Sequence, residues 1–265
     1  MSKHIALVTG ASRGIGAAVA VELAARGHVV VCTARRAASC EETLSKVKAV
    51  GGRALSVDLD LGDVDSIAAA VVEVRGLVAG LGRVDRLVNN AGVAISAPLF
   101  ARSAEGIDDL WAYHFDVNFH GPRRLVEAFV PDMIESGGGI VVNLASSAAL
   151  LGYAYVAAYA ASKHALLGYT RSAALELAKK RVAFHALCPH YVASPMTDAS
   201  VRRLVEKTGR TRDQAREFFA AQNPSGRLVS PLQIASCVAE LCREGGEAAP
   251  GVVLELDGGP EALVV

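Results

Sequence analysis

Short apolar runs alternate with longer segments of helical period along the whole chain. Ile5–Thr9, Val29–Ala34, Arg53–Asp58, Leu87–Asn90, Ile140–Ala145, Val182–Cys188 and Val252–Leu256 read as seven strands. Most lack alternation of apolar and polar residues, as strands covered by helices on both faces do. Between them, Gly14–Arg26 reads as a helix stopped at Gly27. Ser39 with Glu42 predicts a capping box for a helix that ends at Gly51 and Gly52. Asp63 is placed to cap a helix over Val64–Leu81. A long helical region runs from about Glu105 to Glu135, and further helices cover Ala157–Lys179 and about Pro231–Cys242. Repeated βα units imply right-handed crossovers and a doubly wound sheet. The pattern shows no linker or repeat, so it predicts one α/β domain over residues 1–265. Its one irregular insertion is about Ser194–Arg227.

Composition narrows the class. The chain is 52% hydrophobic and 20% charged, enough for a sizeable core and too apolar for disorder. Lys and Arg number 27, as do Asp and Glu, so there is no basic excess of the kind nucleic acid attracts. Cys32, Cys40, Cys188, Cys237 and Cys242 are odd in number and form no CxxC, which argues against disulfides and zinc and for a reducing, cytoplasmic compartment. The first apolar run is too short for a signal peptide. No charge falls between Glu135 and Lys163, but Gly137–Gly139, Asn143, Ser146 and Ser147 there read as strand, loop and helix start rather than a membrane span. The histidines lack ligand spacing, so no metal is expected.

Two motifs carry chemistry. Thr9-Gly10-Ala11-Ser12-Arg13-Gly14-Ile15-Gly16 joins the first strand to the first helix. Gly10 permits a tight turn, Gly14 lets backbone approach a phosphate, and Gly16 lets helix pack on strand. Free N–H groups and the helix dipole then favour a pyrophosphate. Tyr159 and Lys163 stand four apart and share a helix face. A nearby cation favours phenolate and lowers a tyrosine pKa from near ~10.

These markers occur in order with Asp60, Asn89-Asn90-Ala91-Gly92, Asn118, Ser146, Pro189 and Asp257-Gly258-Gly259. Together they resemble the short-chain dehydrogenase/reductase family over nearly the whole chain. The resemblance implies a Rossmann-type fold with a seven-stranded parallel sheet. It implies that Tyr159 is the general acid/base, and that Lys163 binds the nicotinamide ribose and lowers the tyrosine pKa. Ser146, 13 residues before Tyr159, rather than Ser147, would hold the substrate oxygen. Asn118 would help hold a proton-relay water. Cofactor contacts would come from Gly10, Ser12, Arg13, Gly14, Ile15, Gly16, Arg35, Asp60, Leu61, Asn90, Ala91, Gly92, Pro189 and Val192, beside Tyr159 and Lys163. Where NAD-preferring relatives carry a carboxylate, Ala34 stands here, followed by Arg35 and Arg36. Arg13 and Arg35 would meet a 2′-phosphate, and NADP(H) is therefore the expected cofactor.

The sequence departs from the family at Pro189-His190, where Pro-Gly is usual; His190 must fit a tighter space or push its loop outward. His185 reads as a satisfied core residue. The insertion carries Arg202, Arg203, Lys207, Arg210, Arg212 and Arg216, which read as a solvated lid or as a contact for a phosphate-bearing thioester. Substrate walls would come from Ile95–Phe100, Leu150–Val156 and Tyr191–Phe219. The expected activity is NADP(H)-dependent reduction of a ketone or 3-oxoacyl-type compound to a secondary alcohol. Ala161-Ser162-Lys163-His164 and Cys188-Pro189 resemble polyketide ketoreductases. An NAD-linked alcohol or hydroxyacyl dehydrogenase and a non-catalytic dinucleotide-binding regulator remain as alternatives. Partners would be a small ketone, alcohol or thioester, with no nucleic acid and no membrane. Apolar Leu166, Leu167, Tyr169, Leu175 and Leu177 suggest a homodimer or homotetramer.

Overall fold

A computed structural model describes residues 4–99 and 107–265. The outer end of one expected substrate wall, Phe100, and the start of the long helical region at Glu105 lie outside the described residues. One sheet runs through the molecule in the order β3-β2-β1-β4-β5-β6-β7-β8. Its strands are β1 (Ile5–Val8), β2 (Val29–Ala34), β3 (Arg53–Asp58), β4 (Arg86–Asn89), β5 (Gly139–Leu144), β6 (Val182–Pro189), β7 (Val253–Leu256) and β8 (Leu263–Val264). The first seven pair in parallel. β8 is an eighth, antiparallel strand of two residues that the sequence reading did not include; it is too short to show a period. Successive residues of β1 and β2 point to opposite apolar layers, and both layers are buried. Ala6, Val8 and Val30 join Val19, Leu23, Ile234 and Val238 on one face. Ile5, Leu7, Val29 and Val31 join Ile67, Val74, Leu125 and Phe129 on the other.

Helices α1 (Gly14–Ala25) and α9 (Pro231–Leu241) cover the first face; α3 (Val64–Val78), α5 (Gly121–Glu135) and α6 (Ala157–Leu177) lie on the second. Asp63 caps α3 as expected, accepting from the N–H groups of Asp65 and Ser66 at 2.9 and 3.3 Å. The box at Ser39 does not form. Ala37–Cys40 makes a 3-10 turn, and α2 (Glu41–Ala49) begins with no side-chain cap. Glu42 pairs with Lys46 at 2.6 Å instead, one turn along the helix. The long helical region is broken. α4 (Ile107–Phe115) passes through a π-helical turn, Asp116–His120, into α5. The insertion folds into α7 (Pro195–Thr208) and α8 (Arg212–Ala220). Among the described residues no helix is long and apolar enough to cross a membrane.

Candidate active site

The strand order turns back between β1 and β4, and ligands of doubly wound sheets bind at such a reversal. β1 delivers the glycine loop there. Gly10 and Gly14 have φ of +66° and +59°, values an L side chain resists. A Cβ on Gly16 would lie 2.3 Å from the Gly10 carbonyl oxygen. Arg13, at the N-cap of α1, is extended and makes no side-chain cap, so no capping side chain takes the first N–H groups. Ser12 and Ile15 are half-buried beside it. This cradle fits a pyrophosphate.

The segment after β4 braces the cradle. Thr9 Oγ1 accepts the N–H of Asn90 at 2.9 Å and of Ala91 at 3.0 Å. Asn90 Nδ2 returns bonds to the carbonyls of Thr9 (2.8 Å) and Gly10 (3.2 Å), so this amide holds the loop itself. Gly92 runs between functional groups: a Cβ there would sit 3.0 Å from Asn118 Oδ1 and 3.5 Å from Lys163 Nζ. Asp60 accepts the Gly62 N–H at 2.9 Å and shapes the turn after β3, while Leu61 is buried against Gly121. Arg13, Arg35 and Arg36 are exposed. Pro189 closes β6, and Val192 bridges to Val229.

Asn118 lies in the π-helical turn, with its side chain fully buried. Its Oδ1 accepts from Val93 N (2.8 Å) while Nδ2 donates to Val93 O (2.9 Å) and Ser162 Oγ (3.0 Å). Ser162 Oγ in turn donates to the Tyr159 carbonyl at 2.7 Å. Ser146 Oγ accepts the Ala148 N–H at 3.1 Å and acts on the Tyr159 phenol, lowering its pKa, whereas Ser147 Oγ takes the Tyr153 hydroxyl at 2.9 Å. The two serines are thereby distinguished. Lys163 Nζ donates to the Leu144 carbonyl at 2.7 Å and stands 6.0 Å from the centre of the Tyr159 ring. Asn118, Ser146, Tyr159 and Lys163 thus converge on one place.

Electrostatics there run against one expectation. Burial pushes the Tyr159 phenol up from its ordinary value, more than Ser146 pulls it down; Tyr191, Cys188 and Tyr153 add to the rise. Lys163, whose ammonium donates to the Leu144 carbonyl, does not reverse this rise. Burial pushes Lys163 itself down to about 8.

Sequence reasoning missed several supporting groups. A buried chain runs from Asn89 Nδ2 to Asn143 Oδ1, and from Asn143 Nδ2 to Thr170 Oγ1, both at 2.8 Å. Asparagines inside otherwise apolar strands were the available signal. His114 Nδ1 donates to Leu110 O at 2.8 Å and Nε2 accepts the Ile95 N–H at 3.0 Å, with its ring edge-on to Tyr159.

His190 neither crowds the site nor pushes its loop outward. It turns inward and bonds Glu255 Oε1 at 2.6 Å, while its backbone N–H donates to Leu256 O. His185 is a core residue, accepting the Val252 N–H at 3.2 Å and pushed down to about 4 by burial. His190→Ala should leave a largely buried Glu255 carboxylate without its partner. We expect a loss of about 1–3 kcal/mol in urea unfolding; an unchanged midpoint would contradict the pairing.

In the insertion, Arg216 and Arg212 face Asp198 at 3.7 and 4.0 Å, and Arg210 lies over Phe218. An open groove along Arg210, Gln214, Phe218 and Ala221 includes none of the four converging residues. A water-sized cavity of about 20 Å³, lined by Ile95, Pro98, Leu99, Trp111, Tyr155 and Ala158, includes none of them either. Of the five residues expected to offer spare apolar surface on α6, Leu166 and Leu167 are buried within the fold and only Leu175 is fully exposed, at 84%.

Residues 4–204 match the short chain dehydrogenase family. The chain is 35% identical over 257 residues to the short-chain reductase protein NovJ of Streptomyces niveus, covering 97% of this chain and 94% of that one. It is 32% identical over 255 residues to the 3-oxoacyl-(acyl-carrier-protein) reductase FabG of Staphylococcus aureus, covering 96% of each. Among solved structures, a variant of actinorhodin polyketide ketoreductase with NADPH superposes with a TM-score of 0.87 at 33% identity, covering 97% of each chain. The L-sorbose reductase of Gluconobacter frateurii with NADPH and L-sorbose gives 0.87 at 27%, covering 97% of this chain and 96% of that one. With its glycine cradle, strand order and converging Asn118, Ser146, Tyr159 and Lys163, the chain belongs to the short-chain dehydrogenase/reductase family of NAD(P)-dependent oxidoreductases.

Proposed function

We propose that the protein is an NADP(H)-dependent carbonyl reductase, which converts a ketone or 3-oxoacyl-type substrate to a secondary alcohol with Tyr159 as general acid. The observation that carries this reading is the convergence of Asn118, Ser146, Tyr159 and Lys163 beside the glycine cradle. The Tyr159 phenol is protonated at neutral pH, so it can give its proton to a carbonyl oxygen as hydride arrives. When bound, the dinucleotide supplies the hydride. Ser146 and Tyr159 orient the substrate oxygen, and donors fixed in this way stabilise the charge that develops there. Lys163 holds the ribose, and Asn118 fixes the segment at Val93 against α6 through Ser162 and places the π-helical turn that would hold a relay water. The two solved neighbours named above are reductases with NADPH, which supports this reading.

Arg13 at the N-cap of α1 and Arg35 just after β2 are both exposed, and Ala34 rather than a carboxylate ends β2. Paired guanidinium bonds to a 2′-phosphate should favour NADPH over NADH by at least ~10-fold in kcat/KM, about 1.4 kcal/mol. Absorbance assays with a panel of ketones, 3-oxoacyl thioesters and secondary alcohols test this. Joint Ala34→Asp and Arg35→Ala substitution should invert the preference. Equal or better efficiency with NADH in the unmodified enzyme would favour the NAD-linked dehydrogenase. The active form is read as a homodimer or homotetramer, supported by exposed Leu175 on α6 and exposed Leu263 and Val264 on the edge strand β8. Light scattering at micromolar concentration should show one of these; a monomer would contradict it.

A further inference from the structure

We infer that the substrate is a flat aromatic ketone, and that Tyr191 supplies the ring face that selects it. This rests on the carbonyl-reductase reading of the Tyr159 site. The Tyr153 hydroxyl donates to Ser147 Oγ at 2.9 Å, next in the chain to Ser146, and Tyr191 stands edge-on to Tyr153, so the two rings adjoin the Ser146 side of the site. The Tyr191 ring packs on Phe219 at 5.0 Å between centroids and meets Tyr153 edge-on at 6.4 Å. Phe218 continues the cluster behind Phe219.

This wall is held rigid from behind. Asn223, itself buried, accepts the Tyr191 N–H and donates to the Tyr191 carbonyl, both at 2.9 Å. The carbonyl also takes the Val229 N–H, and the preceding residue is pinned through His190 to Glu255. The Tyr153 hydroxyl is engaged by Ser147, which fixes that ring too. His114, edge-on to Tyr159, accepts the Ile95 N–H, and Ile95 lines a small apolar cavity with Leu99, Trp111 and Tyr155. Tyr155 adopts a φ of +66°, and its carbonyl accepts the Ala97 N–H at 2.8 Å. A strained residue that ties two loops together beside a reacting group is a mark of a shaped site. An acyl chain gains only area from such walls. A flat ring gains offset and edge-to-face stacking as well, and a preorganised wall keeps that gain.

The test compares 2-tetralone with trans-2-decalone, which share a bicyclic carbon skeleton but differ in planarity. With NADPH, 2-tetralone should be reduced with at least fivefold higher kcat/KM. Tyr191→Phe should keep that ratio, and Tyr191→Leu should bring it below twofold. Should Tyr191→Leu fail to fold, Phe219→Leu serves the same purpose from the layer behind. A ratio near one in the unmodified enzyme, or one that Tyr191→Leu leaves intact, overturns the inference. Binding of 2-naphthol and trans-2-decalol to the NADP⁺ complex separates the two readings. Preferred 2-naphthol binding without turnover of either ketone keeps the aromatic wall and removes the reductase. Equal binding of the two alcohols removes the wall.

Discussion

Replacing Tyr159 by Phe is expected to lower kcat by at least ~10²-fold while leaving NADPH affinity and the melting temperature close to those of the unmodified enzyme. The substitution keeps the ring and its edge contact with His114 and deletes only the hydroxyl. That hydroxyl is the proton donor in the proposed reaction, and Ser146 is its proposed companion at the substrate oxygen. Ser146 could not take over the role, because a serine hydroxyl is far too weak an acid. Ser146→Ala should be the milder change, since Tyr159 would still hold the substrate oxygen. Turnover by ketone-dependent NADPH oxidation, and affinity by NADPH fluorescence, separate the two effects. Near-normal turnover in Tyr159→Phe would falsify the assignment of the general acid.

The frame of this site was legible because its requirements are local. A glycine loop after an apolar run and a Tyr–Lys pair four apart are patterns within a few residues, and the structure places both at the strand-order reversal. The rest depends on distant partners. Nothing near His190 in sequence announces Glu255, 65 residues away, so the inward turn could not be read from the chain. The Ser39 box failed because a 3-10 turn at Ala37–Cys40 occupied the helix entry, a choice made by packing around buried Cys40. The break at Asp116–His120 was hidden in continuous helical periodicity; the structure shows it placing Asn118 against Val93 and Ser162. The effect of burial on Tyr159 is hidden from the sequence for a related reason. Charge proximity can be read from spacing, but desolvation requires the complete fold.

That desolvation gives the last expected result. In the protein without cofactor, the stability difference between the unmodified chain and Lys163→Met should shift in favour of lysine by about 2 kcal/mol between pH 7 and pH 10. Unfolded, the lysine ionises near its ordinary 10.5; folded, it is pushed down to about 8 by burial. Below the folded value both states hold the proton, and the native state bears the full cost of a buried ammonium. Between the two values the unfolded chain keeps the proton and the native state has released it, so stability rises with pH. The rise is complete once pH passes the unfolded value. Cys188 is the other titrating group acting on the ammonium, and burial holds its thiol up at about 11, above this window. Methionine matches the lysine stem and carries no charge, so groups elsewhere cancel in the difference. At neutral pH the variant should therefore be no less stable than the parent, even after losing the bond to Leu144. It should nevertheless be inactive, because the ammonium that burdens the fold is the one proposed to hold the ribose. Urea unfolding of both proteins across this range measures the shift. A pH-independent difference would mean that Lys163 keeps an ordinary pKa and that its burial carries no electrostatic cost.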